Sequence, residues 1–208
     1  MRTIEVKIYQ FNELSDVAKE KARDWYREGI ELHTDVVFEP AESAAKLLGI
    51  TFAKRSIPLM NGKTRSESDI RYSGFSSQGD GASFVGTYEY RQDAPQAVRA
   101  EFPEDTVLHR IADELEALQA AHDGDTISAR VSQSGTYVHK FTMRAEIFVG
   151  EDNAEDELAE SILGTMRDFA QWIYDYLFDE WEYQLSDEAV DESITANEYE
   201  FLSTGKPA

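Results

Sequence analysis

The sequence predicts an α+β fold: an antiparallel sheet of about five strands, built from two hairpins and an N-terminal strand, with helices on one face and a long acidic C-terminal helix. Three observations carry this expectation. Residues 71–90 set two aromatic and β-branched runs around a turn rich in Ser and Gly, and residues 126–149 read as a second hairpin around Ser132-Gln133-Ser134-Gly135. Residues 154–184 place Leu158, Ile162, Met166, Phe169, Ile173, Leu177 and Trp181 at helical steps of three and four. With 208 residues, 41% of them hydrophobic, the chain suits one α+β domain over residues 1–208, with 151–200 as an acidic helical segment packed on it.

Taken in order, residues 3–11 alternate as a first strand with Ile4, Val6 and Ile8 on one face. Ser15 is a good N-cap for a helix whose stripe is Ala18, Ala22, Trp25 and Tyr26 and whose stop is Gly29. Pro40 fits the first turn of a second helix that ends at Gly49. Residues 50–57 read as one strand, Asn61-Gly62 as a turn, and Asp80-Gly81 as a type I′ hairpin signal. A short helical segment follows Asp93, and a stronger helix over 105–121 carries Leu108, Ile111, Leu115 and Leu118. The two Ser/Gln/Gly turns are expected at one sheet edge. Ser186 caps a last helix running to Ala196, Tyr199-Glu200-Phe201 adds an edge strand, and residues 203–208 are expected to fray.

Charge is the outlying feature. Asp and Glu number 41 against 20 Lys and Arg, a formal net of -21. Such a field disfavours direct contact with nucleic acid or anionic membrane and attracts basic surfaces. The excess is uneven: residues 151–200 hold 17 acidic side chains and one basic one, Arg167. Along at most ~75 Å of helical path that is a charge every ~4.4 Å, against one per about 1.7 Å of duplex axis. Glu157, Asp168, Asp175, Asp179 and Glu182 share one helical face opposite the apolar stripe, with Trp172 beside them as a candidate interface anchor. The competing reading is a solvated polar face, with Trp172 at the edge of a core.

Other chemistry is thinly supported. Cysteine is absent, so disulfides and thiolate metal sites are excluded. Asp123-Gly124-Asp125 and Glu151-Asp152-Asn153 lack calcium-loop spacing, and His33, His109, His122 and His139 lack ligand spacing, so no metal or cofactor is expected. Ser76, Ser77 and Ser83 stand outside any G-x-S-x-G context. The small residues from Ser76 to Ser83 imply either a close backbone approach or a binding loop in which Ser76, Gln78 and Asp80 make polar contacts. The first residues lack an apolar signal-peptide core, and no apolar run nears the ~20 residues of a spanning helix. A cytoplasmic, non-membrane protein is the expectation.

The segments Leu14-Ser15-Asp16 through Trp25-Tyr26-Arg27, Tyr72-Ser73-Gly74-Phe75 through Gly79-Asp80-Gly81-Ala82-Ser83-Phe84, and Ala196-Asn197-Glu198-Tyr199-Glu200-Phe201 resemble a family of acidic proteins encoded by phages and prophages, loosely described as antitoxin-like. The resemblance spans nearly the whole chain in the same order and brings no catalytic residues with it. It implies an accessory protein acting in host cytoplasm against host machinery. With the acidic helix, it points to a non-enzymatic inhibitor of a basic, nucleic-acid-handling host protein, by anti-CRISPR or anti-restriction action through DNA-like charge. An antitoxin-like partner of a toxin, and a small-ligand or peptide-binding module on the 76–83 loop, remain alternatives.

Overall fold

The computed structural model describes residues 5–60, 62–122 and 124–208. They fall into two compact units, Thr34–Leu177 and the described part of Met1–His33 with Phe178–Ala208. Ile4 and Asn61 of the expected strand and turn, and Asp123 of the acidic loop, lie outside the described residues.

The larger unit is built on a five-stranded antiparallel sheet. Its strands are β2 (Ile50–Phe52), β7 (Gly86–Glu89), β8 (Ile127–Gln133), β9 (Met143–Val149) and β10 (Asp152–Asn153), in the order β10-β9-β8-β7-β2. Tyr88, Ile127, Ala129, Val131 and Ile147 alternate inward and are buried, whereas Thr87, Glu89, Arg130 and Glu146 stand exposed on the opposite face. The packed helices are α2 (Asp35–Leu47), α3 (Ala94–Glu101), α4 (Thr106–Ala120) and the first part of α5 (Asp156–Gln184). α2 begins ahead of Pro40 instead of at it. Val37, Ala41 and Ala44 recur at helical spacing and are wholly buried, and that burial holds the preceding turn although Pro40 cannot donate its hydrogen bond.

The stretch 50–57 is not one strand but two, divided at Ala53. β2 pairs with β7, β3 (Lys54–Pro58) with β4 (Thr64–Ser68), and β5 (Ile70–Tyr72) with β6 (Ala82–Phe84). The three ribbons meet at Ala53, Asp69 and Val85, which close a ring of backbone hydrogen bonds. Ala53 N–H donates to the Val85 carbonyl (2.8 Å), Asp69 N–H to that of Ala53 (2.7 Å), and Val85 N–H to that of Asp69 (3.0 Å). Every strand leaving its partner there keeps its amide satisfied, which is the condition for such a crossing to be buried. Gly86 adjoins the junction, and a Cβ on it would lie 2.3 Å from the Thr51 carbonyl oxygen. The buried Asp69 carboxylate accepts both arms of the Arg71 guanidinium, at 2.7 and 2.8 Å.

In the smaller unit β1 is only Tyr9–Gln10, paired antiparallel with β11 (Glu200–Phe201) and not with the five-stranded sheet. Val6 and Ile8 are 61% and 50% exposed, so the alternation of residues 3–11 does not mark a buried strand face. Instead Phe11 and Leu14 enter a core with Ala18 and Ala22 of α1 (Asp16–Glu28), Val190 and Ile194 of α6 (Asp187–Ala196), and Phe201. Arg23 of α1 grips Asp191 of α6 at 2.6 and 2.7 Å. The last residues are folded and do not fray: Leu202 N–H donates to the Lys206 carbonyl and Ala208 N–H to that of Glu200, at 2.8 and 2.9 Å.

The hydroxyl of Tyr88 is buried and meets no hydrogen-bond partner among the described residues, and burial pushes its ionisation upward. Because an unpaired buried hydroxyl is a net cost, Tyr88→Phe should raise the stability of the larger unit by about 1 kcal/mol, read as a higher urea midpoint at unchanged slope.

Candidate partner-binding surface

α5 is continuous over 29 residues, about 44 Å at 1.5 Å per residue. Its residues through Leu177 belong to the larger unit and those from Phe178 to the smaller. As expected from the Ser186 cap, Leu185 and Ser186 turn the chain into α6, so the acidic residues of 151–200 are divided between two helices and the segments around them. Eight of the 17 acidic side chains of that stretch ride on α5.

Two of the expected surface residues are engaged internally. In the larger unit Asp168 accepts from Arg110 Nη1 at 2.8 Å, and the same nitrogen reaches Glu114 at 2.8 Å, so this carboxylate is neutralised by the protein's own arginine. Trp172 is not an exposed anchor. It is 8% exposed, its ring stacks on Phe169 at 5.6 Å, and Phe102 and Tyr176 meet it edge-on. Its Nε1–H donates to Asp105 Oδ2 at 2.7 Å, while Asp105 Oδ1 caps α4 by accepting from Leu108 N–H. The loop between α3 and α4 thus covers a flank of α5 that its own apolar stripe leaves open. On α6, Asp187 and Asp191 are bound by Arg27 and Arg23 in the same way.

The remaining carboxylates stand free of such capping. Glu157 and Asp175 of the larger unit, and Asp179 and Glu182 of the smaller, are exposed, and no ion pair among the described residues includes them. Glu157 borders an open concavity of about 670 Å³ with Ala145, Glu160 and Ser161. Asp175 accepts only from Gln171, at 2.7 Å.

The aromatic neighbour of this surface is one the sequence did not single out. Phe38, Tyr72, Phe75 and Tyr174 form a half-exposed ledge with successive ring centroids 6.5, 6.1 and 5.6 Å apart. Tyr174 donates to the Gly74 carbonyl at 3.0 Å, and its phenol is pushed up by burial and then by the negative charges of Asp80 and Asp175. The only sequence signal for the ledge was the pair Tyr72 and Phe75 beside the glycine-rich turn.

That turn is closed from within. Neither Asp80 nor Gly81 adopts positive φ, so it is not a type I′ turn. The Asp80 carboxylate instead accepts from the backbone N–H groups of Ser77 and Ser76, at 2.7 and 2.8 Å, which holds its pKa below the usual carboxylate range. Asp80 is therefore a turn-forming residue through its Oδ2. Ser76 and Gln78 are exposed, and Ser83 is buried. The close backbone approach is real: a Cβ on Gly81 would lie 2.8 Å from the Cβ of His139, and Ser73 Oγ donates to the Val138 carbonyl. Arg71 Nη1 also donates to Gln133 Oε1, so the two Ser/Gln/Gly turns pack together. Among the described residues, no three His, Asp or Glu side chains converge as a metal site.

Asp105→Ala removes a helix cap and leaves the Trp172 indole N–H buried without a partner, so it should cost about 2–4 kcal/mol in urea unfolding. The folded pKa of Asp80 lies below its unfolded value, so its contribution is present above the usual carboxylate range and is lost as pH falls through the depressed value. Asp80→Asn should accordingly lower the melting temperature at pH 7, with the gap to the parent protein closing once pH drops below about 3.9.

No curated protein and no solved structure matches the chain. One family model does match, over residues 33–187, a span that holds the whole larger unit, all of α5 and the turn into α6. The chain belongs to the family described as a domain of unknown function (DUF8835).

Proposed function

We propose that this chain is a non-enzymatic, phage-encoded binding protein that inhibits a basic, nucleic-acid-handling host protein in host cytoplasm, its carboxylates standing where the phosphates of nucleic acid would. The observation that carries the reading is the state of Asp175, Asp179 and Glu182. They recur at i, i+4 and i+7 on α5, are exposed, and meet no cation among the described residues. Exposed like charges at four-residue spacing weaken a helix on their own account. An arginine- or lysine-rich partner relieves that repulsion and gains charge-assisted hydrogen bonds. Tyr174 and Phe75, half-buried beside Asp175, supply the apolar contact first expected from Trp172.

The test is affinity capture from host lysate with the full chain and with the triple variant Asp175→Lys, Asp179→Lys, Glu182→Lys. The three sites are exposed, so folding should be preserved. The parent protein should retain basic nucleic-acid-binding proteins at low salt and release them as salt rises, and the variant should retain none. A captured set indifferent to both salt and the substitutions contradicts the proposal. Asp168→Lys, by contrast, should destabilise the fold, because it places a cation against Arg110.

A further inference from the structure

The smaller unit holds a second feature that the acidic face of α5 does not use. Trp25 and Tyr26 of α1, Tyr199 after α6, and residues 28–31 with His33 line an open cavity of about 530 Å³. The three rings are steeply inclined to one another. Trp25 and Tyr199 lie 5.3 Å apart at 84°, Trp25 and Tyr26 6.4 Å apart at 66°, and Tyr26 and Tyr199 6.1 Å apart at 62°. Two carboxylates, Glu28 and Glu31, line the same cavity and are exposed, and no lysine or arginine among the described residues lines it.

The placement of these rings is built in. Trp25 packs on the inner core and meets Phe201 edge-on at 5.7 Å, so its position is fixed from behind. Tyr199 follows Glu198, whose φ of 53° is the one positive value at a non-glycine residue among those described. The left-handed region is unfavourable for a residue with a side chain, and here that conformation turns the chain out of α6 and brings Tyr199 over α1. His33 N–H donates to Gln184 Oε1 at 3.3 Å, tying the far rim of the cavity to the end of α5.

We propose that this cavity binds an alkylated ammonium group. Aromatic faces attract cations through the ring quadrupole, and neighbouring carboxylates add the charge complement without competing cations. The inclination of the walls selects the shape. A planar guanidinium is best served by a parallel ring on which it stacks, whereas three mutually inclined rings enclose a rounded group such as trimethylammonium. The same head group occurs on free choline-type molecules and on methylated lysine side chains. The site shares no residue with the acidic face of α5, and its test is independent of the function proposed above.

The experiment is a calorimetric and proton NMR titration of the full chain with choline, with a short peptide bearing trimethyllysine, and with 3,3-dimethylbutanol, the neutral isostere of choline. Saturable binding of an alkylammonium, with upfield ring-current shifts of its methyl protons, is expected, and the neutral isostere should bind about tenfold or more weakly. Tyr199→Ala should weaken binding by at least about tenfold, while Tyr199→Phe keeps the ring and retains it. Glu28→Gln with Glu31→Gln should weaken it further at low salt. Tighter binding of the peptide than of choline assigns the site to a modified side chain, and the reverse order to a small molecule. Absence of saturable binding by both cations, equal binding of the neutral isostere, or indifference to Tyr199→Ala in a chain of unchanged circular dichroism overturns the proposal.

Discussion

The structure depends first on where its scarce cations go. With half as many basic as acidic side chains, most arginines with a described partner hold an internal joint together. Arg23 and Arg27 fasten α1 to Asp191 and Asp187 at the start of α6, Arg71 closes on Asp69 beside the strand junction, Arg99 holds Asp113 across α3 and α4, and Arg110 ties α4 to Asp168 of α5. Several of these pairs are bidentate or part-buried, which is the setting in which an ion pair adds appreciable stability, unlike an isolated surface pair. The carboxylates left over are therefore selected by packing. Asp175, Asp179 and Glu182 face solvent on a part of α5 where no arginine among the described residues reaches them.

The second constraint is the backbone ring at Ala53, Asp69 and Val85. It lets one stretch of chain serve two ribbons without orphaned amides, and it fixes where β5 and β6 emerge. The glycine-rich turn at the end of that ribbon then meets the β8–β9 connection at Gly81 and His139 and the α5 surface at Gly74 and Tyr174. The aromatic ledge is a consequence of this route, and Asp80, by closing the turn, keeps its rings in place.

Much of the fold was legible because local physics decided it. Helical spacing, the cap at Ser186 and the stop at Gly29 mark α1, α4, α5 and α6, and inward alternation marks β8 and β9. Most of the failures come from long-range packing. Trp172 looks peripheral on a helical wheel, and only Phe102 and Asp105, far away in sequence, show that its flank is covered. Asp168 looks free until Arg110 is placed beside it. The polarity pattern breaks at Phe52-Ala53, where two apolar residues adjoin ahead of Lys54-Arg55-Ser56, but the partners that the two halves take, β7 and β4, lie elsewhere in the chain. Asp80-Gly81 has the composition of a tight turn, yet the carboxylate finds two backbone donors and closes a wider one. The rings of Trp25, Tyr26 and Tyr199 were each visible in the sequence, but their convergence depends on the fold of the smaller unit.

Carboxylates that packing leaves unpaired are, in this account, the ones a basic partner takes up. Zero-length carbodiimide coupling of the captured complex, mapped by mass spectrometry, reads that contact atom by atom, because it joins a carboxylate only to an amine already touching it. Amide links from partner lysines to Asp175, Asp179 and Glu182 are the predicted result. Links confined to the exposed sheet face around Glu89 and Glu146, with none on α5, would contradict it.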